Sequence, residues 1–320
     1  MAPVSLGVDL GGTNARAAVV DTDSGEIVAV HKEPLRDRAP AAVVAVIQRA
    51  IAEASTAAGL PAAPAGCVGV GVAGQCLGAT GMVLNAPNLG WRDVPFGELL
   101  SSALRARVKV ANDLAVAAWG ERRFGAARGI DDVVLVFVGS GVGSGIIAGG
   151  RLYDGSTGVA GELGHVKVGP VRGEAEARRC GCGELGCLEA YTSGVNVAAR
   201  VRERIAAGAR TRVVELAGGD LARVNASLVD EAYRAGDAFA RELWDEVGLL
   251  LGTAIANLVT ILNPARVILG GGVLLGSPAL AAIVRARFDE KVSRSAARGL
   301  TIERAWLGDD AGVIGAAVLG

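Results

Sequence analysis

Three times in this chain an apolar run ends in glycine. Residues 5–10 lead into Gly11-Gly12-Thr13-Asn14, residues 133–138 into a stretch with glycine at 139, 141, 143 and 145, and residues 266–269 into Gly270-Gly271-Gly272. A short apolar run bounded by glycine reads as a buried strand that stops at a tight turn. Two of the turns are followed by another apolar run, at 15–20 and at 146–148, so the unit strand, glycine turn, strand occurs twice. The repeat predicts two related α/β halves rather than one sheet. Lacking a Cβ, glycine lets backbone N–H groups crowd around an anion and admits the positive φ angles that such a turn needs.

Composition sharpens this reading. Glycine reaches 47 of 320 residues, about 15% against a usual share of roughly 7%. With ten prolines and no Gly-X-Y period, the chain is neither a flexible linker nor collagen-like. A net charge of −1 and 4% aromatic residues argue against a nucleic-acid partner. Residues 1–10 carry no basic segment followed by a long apolar core, so no signal peptide is expected. The longest uncharged stretch, 247–265, is interrupted by Gly248, Gly252, Thr253, Asn257, Thr260 and Asn263 and closed by Pro264. Its roughly 16 helical residues would span about 24 Å, short of a bilayer core, which predicts a buried helix and no membrane partner. Five cysteines, three of them within 180–187, suit a metal site in a reducing compartment, and the expected location is the cytoplasm.

Along the chain, the pattern predicts strands at 5–10, 15–20, 26–30, 67–73 and 108–111. Helices are expected at 41–58 and at 93–107, the latter with Asp93 as N-cap, and from Asn112-Asp113 to about 124. Helices dominate 195–263, and after the strand at 266–269 further helices run to the end. The expected division is a small α/β domain, 1–113, with which a C-terminal helix at about 311–320 packs, and a large α/β domain, 114–310, carrying a zinc-binding loop.

Two common phosphate loops are excluded by spacing. A Gly-x-Gly-x-x-Gly frame ends on Ser144 if started at Gly139 and on Ile146 if started at Gly141, and the chain has no Gly-Lys pair. What remains is a hairpin-type phosphate clamp, or else ordinary tight turns. Hydroxyls at Thr13, Ser140 and Ser144 favour the clamp. The candidate nucleotide-binding residues are Asp9, Gly11, Gly12, Thr13, Asn14, Gly139, Ser140, Gly141, Gly143 and Gly271. Asp9, at a strand end, is a candidate anchor for Mg²⁺ through its waters.

Cys180, Cys182 and Cys187 form Cys-x-Cys-x4-Cys on a glycine-rich backbone. Three thiolates suit three corners of a tetrahedral Zn²⁺ site; free thiols or a disulfide are the alternatives. Of the two histidines, His165 in Gly161-Glu162-Leu163-Gly164-His165 is the expected fourth ligand, and His31 lies in an early strand. A Cys3His shell leaves no position for activated water, so the metal would be structural. Its hold on His165 would fix the tautomer and aim the other ring nitrogen at a substrate hydroxyl. Cys67 and Cys76 read as small hydrophobes. Asp113 is either a helix cap or a functional carboxylate. Glu162 and Glu189 flank the zinc motif, a set suited to vicinal hydroxyls.

These residues resemble the ROK family of sugar kinases, its bacterial glucokinase branch above all, over most of the chain. The resemblance rests on residues 9–14 and 139–145 as phosphate loops, Asn85-Ala86-Pro87-Asn88-Leu89 as a sugar-facing segment, and Asn112-Asp113 as a catalytic pair. Residues 161–165 and the cysteine signature running to Cys187-Leu188-Glu189 complete it. The resemblance implies an α/β, two-lobed actin/hexokinase-like (ribonuclease H-like) ATPase fold with sugar and ATP meeting in the cleft. It implies Asp113 as general base for a hexose 6-hydroxyl. Asn88, Asn112, Glu162, His165 and Glu189 would hold the remaining hydroxyls, His165 while ligating zinc.

The cofactors implied are ATP with Mg²⁺ and structural Zn²⁺, and the assembly a homodimer or homotetramer. Glucose is the first expectation for the hexose, with N-acetylglucosamine, N-acetylmannosamine or mannose as alternatives. Ser140 replaces the family's usual threonine. Gly74-Gln75-Cys76 and Asn88-Leu89-Gly90-Trp91 depart from its pattern near the sugar side. The family also includes sugar-sensing repressors; the eight residues ahead of Asp9 are too few for a DNA-binding domain. A non-catalytic sugar-sensing protein is disfavoured by the presence of Asp113 and the phosphate glycines.

Overall fold

Strands β1 (Val4–Leu10) and β2 (Asn14–Asp21), each with a run of consecutive buried residues, form an antiparallel pair, with Leu10 opposite Ala15 and Asp9 opposite Arg16. The structure, a computed structural model, describes residues 3–62, 66–170 and 176–320. Strand β3 (Ile27–Pro34) lies antiparallel on β2. Helix α1 (Pro40–Ala57) buries Val43, Ile47, Ala50, Ile51 and Ala54 at helical spacing. Strand β4 (Cys67–Val72) runs parallel to β1. Strands β5 (Gln75–Leu77), β6 (Met82–Ala86) and β7 (Trp91–Val94) form a small antiparallel sheet. After α2 (Phe96–Leu104), strand β8 (Arg107–Asn112) adds parallel to β4, and α3 (Asp113–Phe124) follows at once. The resulting sheet order is β3-β2-β1-β4-β8.

A second five-stranded sheet has the order β11-β10-β9-β12-β13, built from β9 (Val133–Val138), β10 (Val142–Ala148), β11 (Arg151–Leu152), β12 (Arg266–Gly270) and β13 (Thr301–Arg304). Between β11 and β12 come α4 (Glu189–Thr192), α5 (Gly194–Ala206), α6 (Val213–Leu216), α7 (Ala226–Arg234) and α8 (Ala238–Leu262). Helices α9 (Gly272–Gly276) and α10 (Pro278–Lys291) follow β12, and α11 (Ala311–Ala317) ends the chain. The chain divides into two compact units. One holds Met1–Leu135, Gly145–Gly161 and Ala305–Gly320; the other holds Val136–Ser144 and Glu162–Arg304.

In the first unit, β2 sends Ala17 and Val19 to a core shared with α1, while Ala18 and Val20 meet Val313, Ile314 and Ala317 of α11. Its sheet is therefore covered by helices on both faces. Helix α11 approaches the strands to backbone contact: a Cβ on Gly69 would lie 1.8 Å from the Ala316 carbonyl oxygen. In the second unit, α8 packs on α10 and α7. A Cβ at Gly252 would lie 2.8 Å from the Val284 carbonyl oxygen, so close helix packing explains this glycine. By length and composition alone α8 could cross a membrane; Leu243, Trp244, Val247 and Leu251 on it are fully buried. Asp237 caps it at the Ala240 amide, ten residues ahead of the uncharged stretch from which the helix was expected.

Three expectations are corrected. Asp93 is not a helix cap: it sits in β7 at φ +50, and the helix starts at Phe96. Pro95 disfavours helical backbone at Val94. The Trp91 indole donates to the Arg38 carbonyl oxygen at 2.6 Å and packs on Phe96, which anchors the start of β7. The segment after β12 is not wholly helical, since β-branched Thr301 and Ile302 pair parallel with Arg266 and Val267. Strand β10 begins at Val142, inside the glycine stretch, rather than at 146.

Candidate functional site

In the first unit the polar candidates gather at the carboxyl ends of the parallel strands β1, β4 and β8, where open α/β sheets bind ligands. The β1–β2 turn is closed by the Gly11 amide donating to the Asn14 carbonyl oxygen at 3.1 Å. The Asn14 side chain donates to Thr13 Oγ1 at 2.9 Å, and Arg38 Nε donates to the Gly12 carbonyl oxygen at 3.0 Å. A Cβ on Gly12 would lie 2.7 Å from Asn88 Cβ, so this glycine lets the turn rest against Asn88, itself exposed. Asp9, Arg16 and Lys32 form one row across β1, β2 and β3. Burial raises the Asp9 pKa, while Arg16 and Lys32 pull it back and Asp309 adds to the rise. Arg16 is itself held by the Asp310 carboxylate and by the Asp309 carbonyl oxygen, the latter at 3.0 Å.

Asn112 ends β8 and caps α3. Its Oδ1 accepts from the Leu114 and Ala115 amides at 2.9 and 3.1 Å, and its Nδ2 donates to the Gly74 carbonyl oxygen at 3.0 Å. Of the two readings open for Asp113, the cap therefore falls to its neighbour. Asp113 is the first helical residue, half-buried, with Oδ1 accepting from the Leu114 amide at 3.0 Å. Its carboxylate stands at the positive end of a 12-residue helix.

In the second unit, the glycine turn before β10 is bound by Gly139 N–H to the Gly141 carbonyl oxygen at 2.9 Å and by Gly194 N–H to the Gly139 carbonyl oxygen at 2.8 Å. The Val142 amide donates to Glu189 Oε2 at 2.9 Å. Gly271 has φ +91, and a Cβ there would lie 2.3 Å from the Val138 carbonyl oxygen, which places the third glycine turn against the second. Beside Gly139 and Ser140 opens a cavity of about 650 Å³, lined by Val195, Arg202, Asn225 and Val273 among others. Its size suits a small-molecule ligand. Sequence reasoning missed Val195, Arg202 and Asn225: the first two lie in α5, the third caps α7, and none belongs to a motif.

Four side chains of this unit, His165, Cys180, Cys182 and Cys187, bring one donor atom each within 4.8 Å of one another. Cys180 Sγ lies 3.8 Å from His165 Nδ1, and Cys182 Sγ 3.8 Å from Cys187 Sγ. The edge of a tetrahedron of ligands at about 2.3 Å from zinc is about 3.8 Å. These two separations match that edge. Backbone bonds hold the two ligand segments together: Val168 N–H to the Gly186 carbonyl oxygen at 2.7 Å and Leu188 N–H to that of Val166 at 2.9 Å. Burial pushes the Cys180 thiol up to about 12, so a cation is needed to make it a thiolate near neutral pH.

His165 Nε2 lies 3.4 Å from Glu162 Oε2, leaving Nδ1 on the cysteine side. Cys180 Sγ also reaches Glu189 Oε1 at 3.7 Å. Glu162, His165, Glu189 and the turn at 139–144 therefore form one neighbourhood. Cys67 and Cys76 form no disulfide; Cys76 is buried in the core with Val83 and Trp91.

Residues 5–320 match the sequence model of the ROK family. The chain is 34% identical to a glucokinase of Halalkalibacterium halodurans over 97% of its own length and 92% of the relative's. It is 33% identical to a glucokinase of Streptomyces coelicolor, over 99% and 97%. The crystal structure of a ROK family glucokinase from Streptomyces griseus in complex with glucose and AMPPNP superposes with a TM-score of 0.82 at 34% identity, covering 99% of both chains. The sheet order and this likeness make the fold the actin/hexokinase-like, ribonuclease H-like α/β fold.

Proposed function

The chain belongs to the ROK family, and we propose that it is a hexose kinase that transfers the γ-phosphoryl group of ATP to the 6-hydroxyl of glucose. The observation that supports this most is the pairing of Asn112 with Asp113: the first caps α3, which leaves the second at the helix start on the sheet edge that also carries Asp9 and the Gly11–Asn14 turn. A carboxylate so placed suits a general base.

In this reading Asp113 takes the proton from the sugar's 6-hydroxyl as that oxygen bonds to the γ-phosphorus. The bond from that phosphorus to the β–γ bridging oxygen breaks, and ADP leaves. Positioning and charge neutralisation supply most of the rate in such transfers, and one base about 10²–10⁴-fold more. Asn112 keeps one amide hydrogen for a ligand after binding Gly74. With Asn88, Glu162, His165 and Glu189 it would hold the other hydroxyls. Backbone amides of residues 11–14 and 139–143 would cradle the phosphates, and the cavity beside Ser140 would take the nucleoside, which favours a nucleotide over polyphosphate as donor. When bound, Mg²⁺ neutralises phosphate charge; Asp9, whose burial raises its pKa, would hold it through water.

His165, Cys180, Cys182 and Cys187 would hold one Zn²⁺ in a closed shell, a structural role that keeps His165 and Glu189 in place. The enzyme would act in the cytoplasm as a homodimer or homotetramer. A coupled ADP-release assay across glucose, mannose, N-acetylglucosamine and N-acetylmannosamine tests the substrate: glucose should show the highest kcat/KM. A preference for an N-acetylhexosamine would replace the substrate and keep the reaction, and no ADP release with any sugar would remove both.

A further inference from the structure

Lys167 has no place in the reading above, yet its side chain reaches the cysteine cluster. Its Nζ donates to Cys187 Sγ at 3.1 Å and to the Glu184 carboxylate. Cys187 is fully buried, among Cys180, Ala190 and Tyr191, whereas the Lys167 side chain is half exposed. The ammonium is thus a charged partner of a buried sulfur whose residue packs against apolar side chains on one side and faces the other donors of the cluster on the other. Its position is set by the backbone, because Lys167 and Cys187 are opposite residues of an isolated antiparallel bridge, two residues beyond His165. Glu184, inside the cysteine loop, holds the ammonium from its other side.

We propose that Lys167 is a positioning residue of this metal cluster: its ammonium hydrogen-bonds the Cys187 sulfur and slows the release of zinc. The inference rests on the zinc reading above. Three thiolates around a divalent ion leave one net negative charge. Desolvating that charge against Tyr191 and Ala190 is unfavourable unless a cation offsets it. A donor to a ligating sulfur also fixes the direction of its lone pairs, and removing such an outer contact typically weakens metal binding about 10–100-fold.

The test uses the full-length zinc-loaded protein. Zinc content is measured by elemental analysis, and zinc release to a chelating dye is timed for the wild type, Lys167→Met, Lys167→Arg and Glu184→Gln. Lys167→Met should release zinc at least about tenfold faster. Lys167→Arg, which keeps a donor, should restore most of the difference, and Glu184→Gln should stay nearer the wild type. With Co²⁺ in place of zinc, the thiolate-to-cobalt absorption band should move to longer wavelength in Lys167→Met alone, since the sulfur loses a hydrogen bond. Wild-type release rate and band in a zinc-replete Lys167→Met protein would overturn the proposal. So would a Glu184→Gln protein that reproduces the whole rate change without the band shift, because the ion pair would then be the cause. A wild-type chain that takes up neither zinc nor cobalt would remove the metal reading itself.

Discussion

The Val142 amide donates to Glu189 Oε2 at 2.9 Å, joining the second glycine turn to the residue that closes the cysteine signature. The other carboxylate oxygen faces the Cys180 thiol at 3.7 Å. One carboxylate thus touches both the segment read as a phosphate clamp and the cluster of His165 and three cysteines, while remaining the expected ligand of a sugar hydroxyl. Replacing it should affect both substrates. Glu189→Ala leaves the Val142 amide without its acceptor, a loss of about 1–3 kcal/mol, and is expected to raise KM for ATP and for sugar together. Glu189→Gln can still accept from Val142, so its KM for ATP should stay near the wild-type value while that for sugar rises. Steady-state kinetics with each substrate varied in turn checks the split.

Asn112 serves the helix and the loop before β5 at once. Asn112→Ala removes a cap, a loss of about 1 kcal/mol, and also strips the Gly74 carbonyl oxygen of its donor. Asn112→Asp keeps the cap but turns a carboxylate oxygen toward the Gly74 carbonyl oxygen, a repulsion that alanine avoids. Melting temperature should therefore fall below that of the wild type in both variants, as followed by circular dichroism.

Asp9 gives a pH dependence of known sign. Burial raises its pKa in the folded chain above the ordinary value of 3.8. In the unfolded chain the group ionises more readily, so its ionisation lowers stability as pH rises through the folded value, and the loss persists at neutral pH. Asp9→Asn should melt higher than the wild type at pH 7 without ligands, the gap narrowing as the pH falls toward 4, while turnover is lost. Thermal melts across pH check this; a mutant that melts lower at pH 7 would show that Arg16 and Lys32 outweigh burial.

Much of this molecule can be read from its amino acids because local patterns and tertiary packing agree. The paired strand, turn, strand units, the α1 spacing and the clustering of His165 with Cys180, Cys182 and Cys187 all appear where residue types point. Asp93 is an exception: a good capping residue loses to Trp91 and Pro95, whose contacts lie outside the local helix pattern. The strand at 301–304 is short and gains its partner only when β12 lies beside it. The cavity residues Val195, Arg202 and Asn225 meet through the packing of α5 and α7, which no spacing along the chain encodes. The glycine at 69 reads only as compositional excess until the helix that presses on it is known.

That explanation of glycine can be measured. Gly252→Val would drive a side chain into the Val284 carbonyl and Phe288 amide, which are backbone atoms and cannot turn aside. A destabilisation of about 2 kcal/mol is expected by chemical denaturation. Gly208, where a Cβ would meet nothing within 4 Å, makes the comparison site: Gly208→Asn should cost less, since asparagine tolerates its φ of +95 better than most residues and nothing crowds it.

The most direct test of the account is phosphoryl transfer by Asp113→Asn. Asn112 retains the cap of α3, so the variant should fold and melt close to the wild type. With glucose and ATP in a single-turnover measurement, transfer to the 6-hydroxyl should fall by about 10²–10⁴-fold, with glucose affinity by calorimetry little changed. Transfer at the wild-type rate in a folded, glucose-binding Asp113→Asn protein would contradict the assignment of the base.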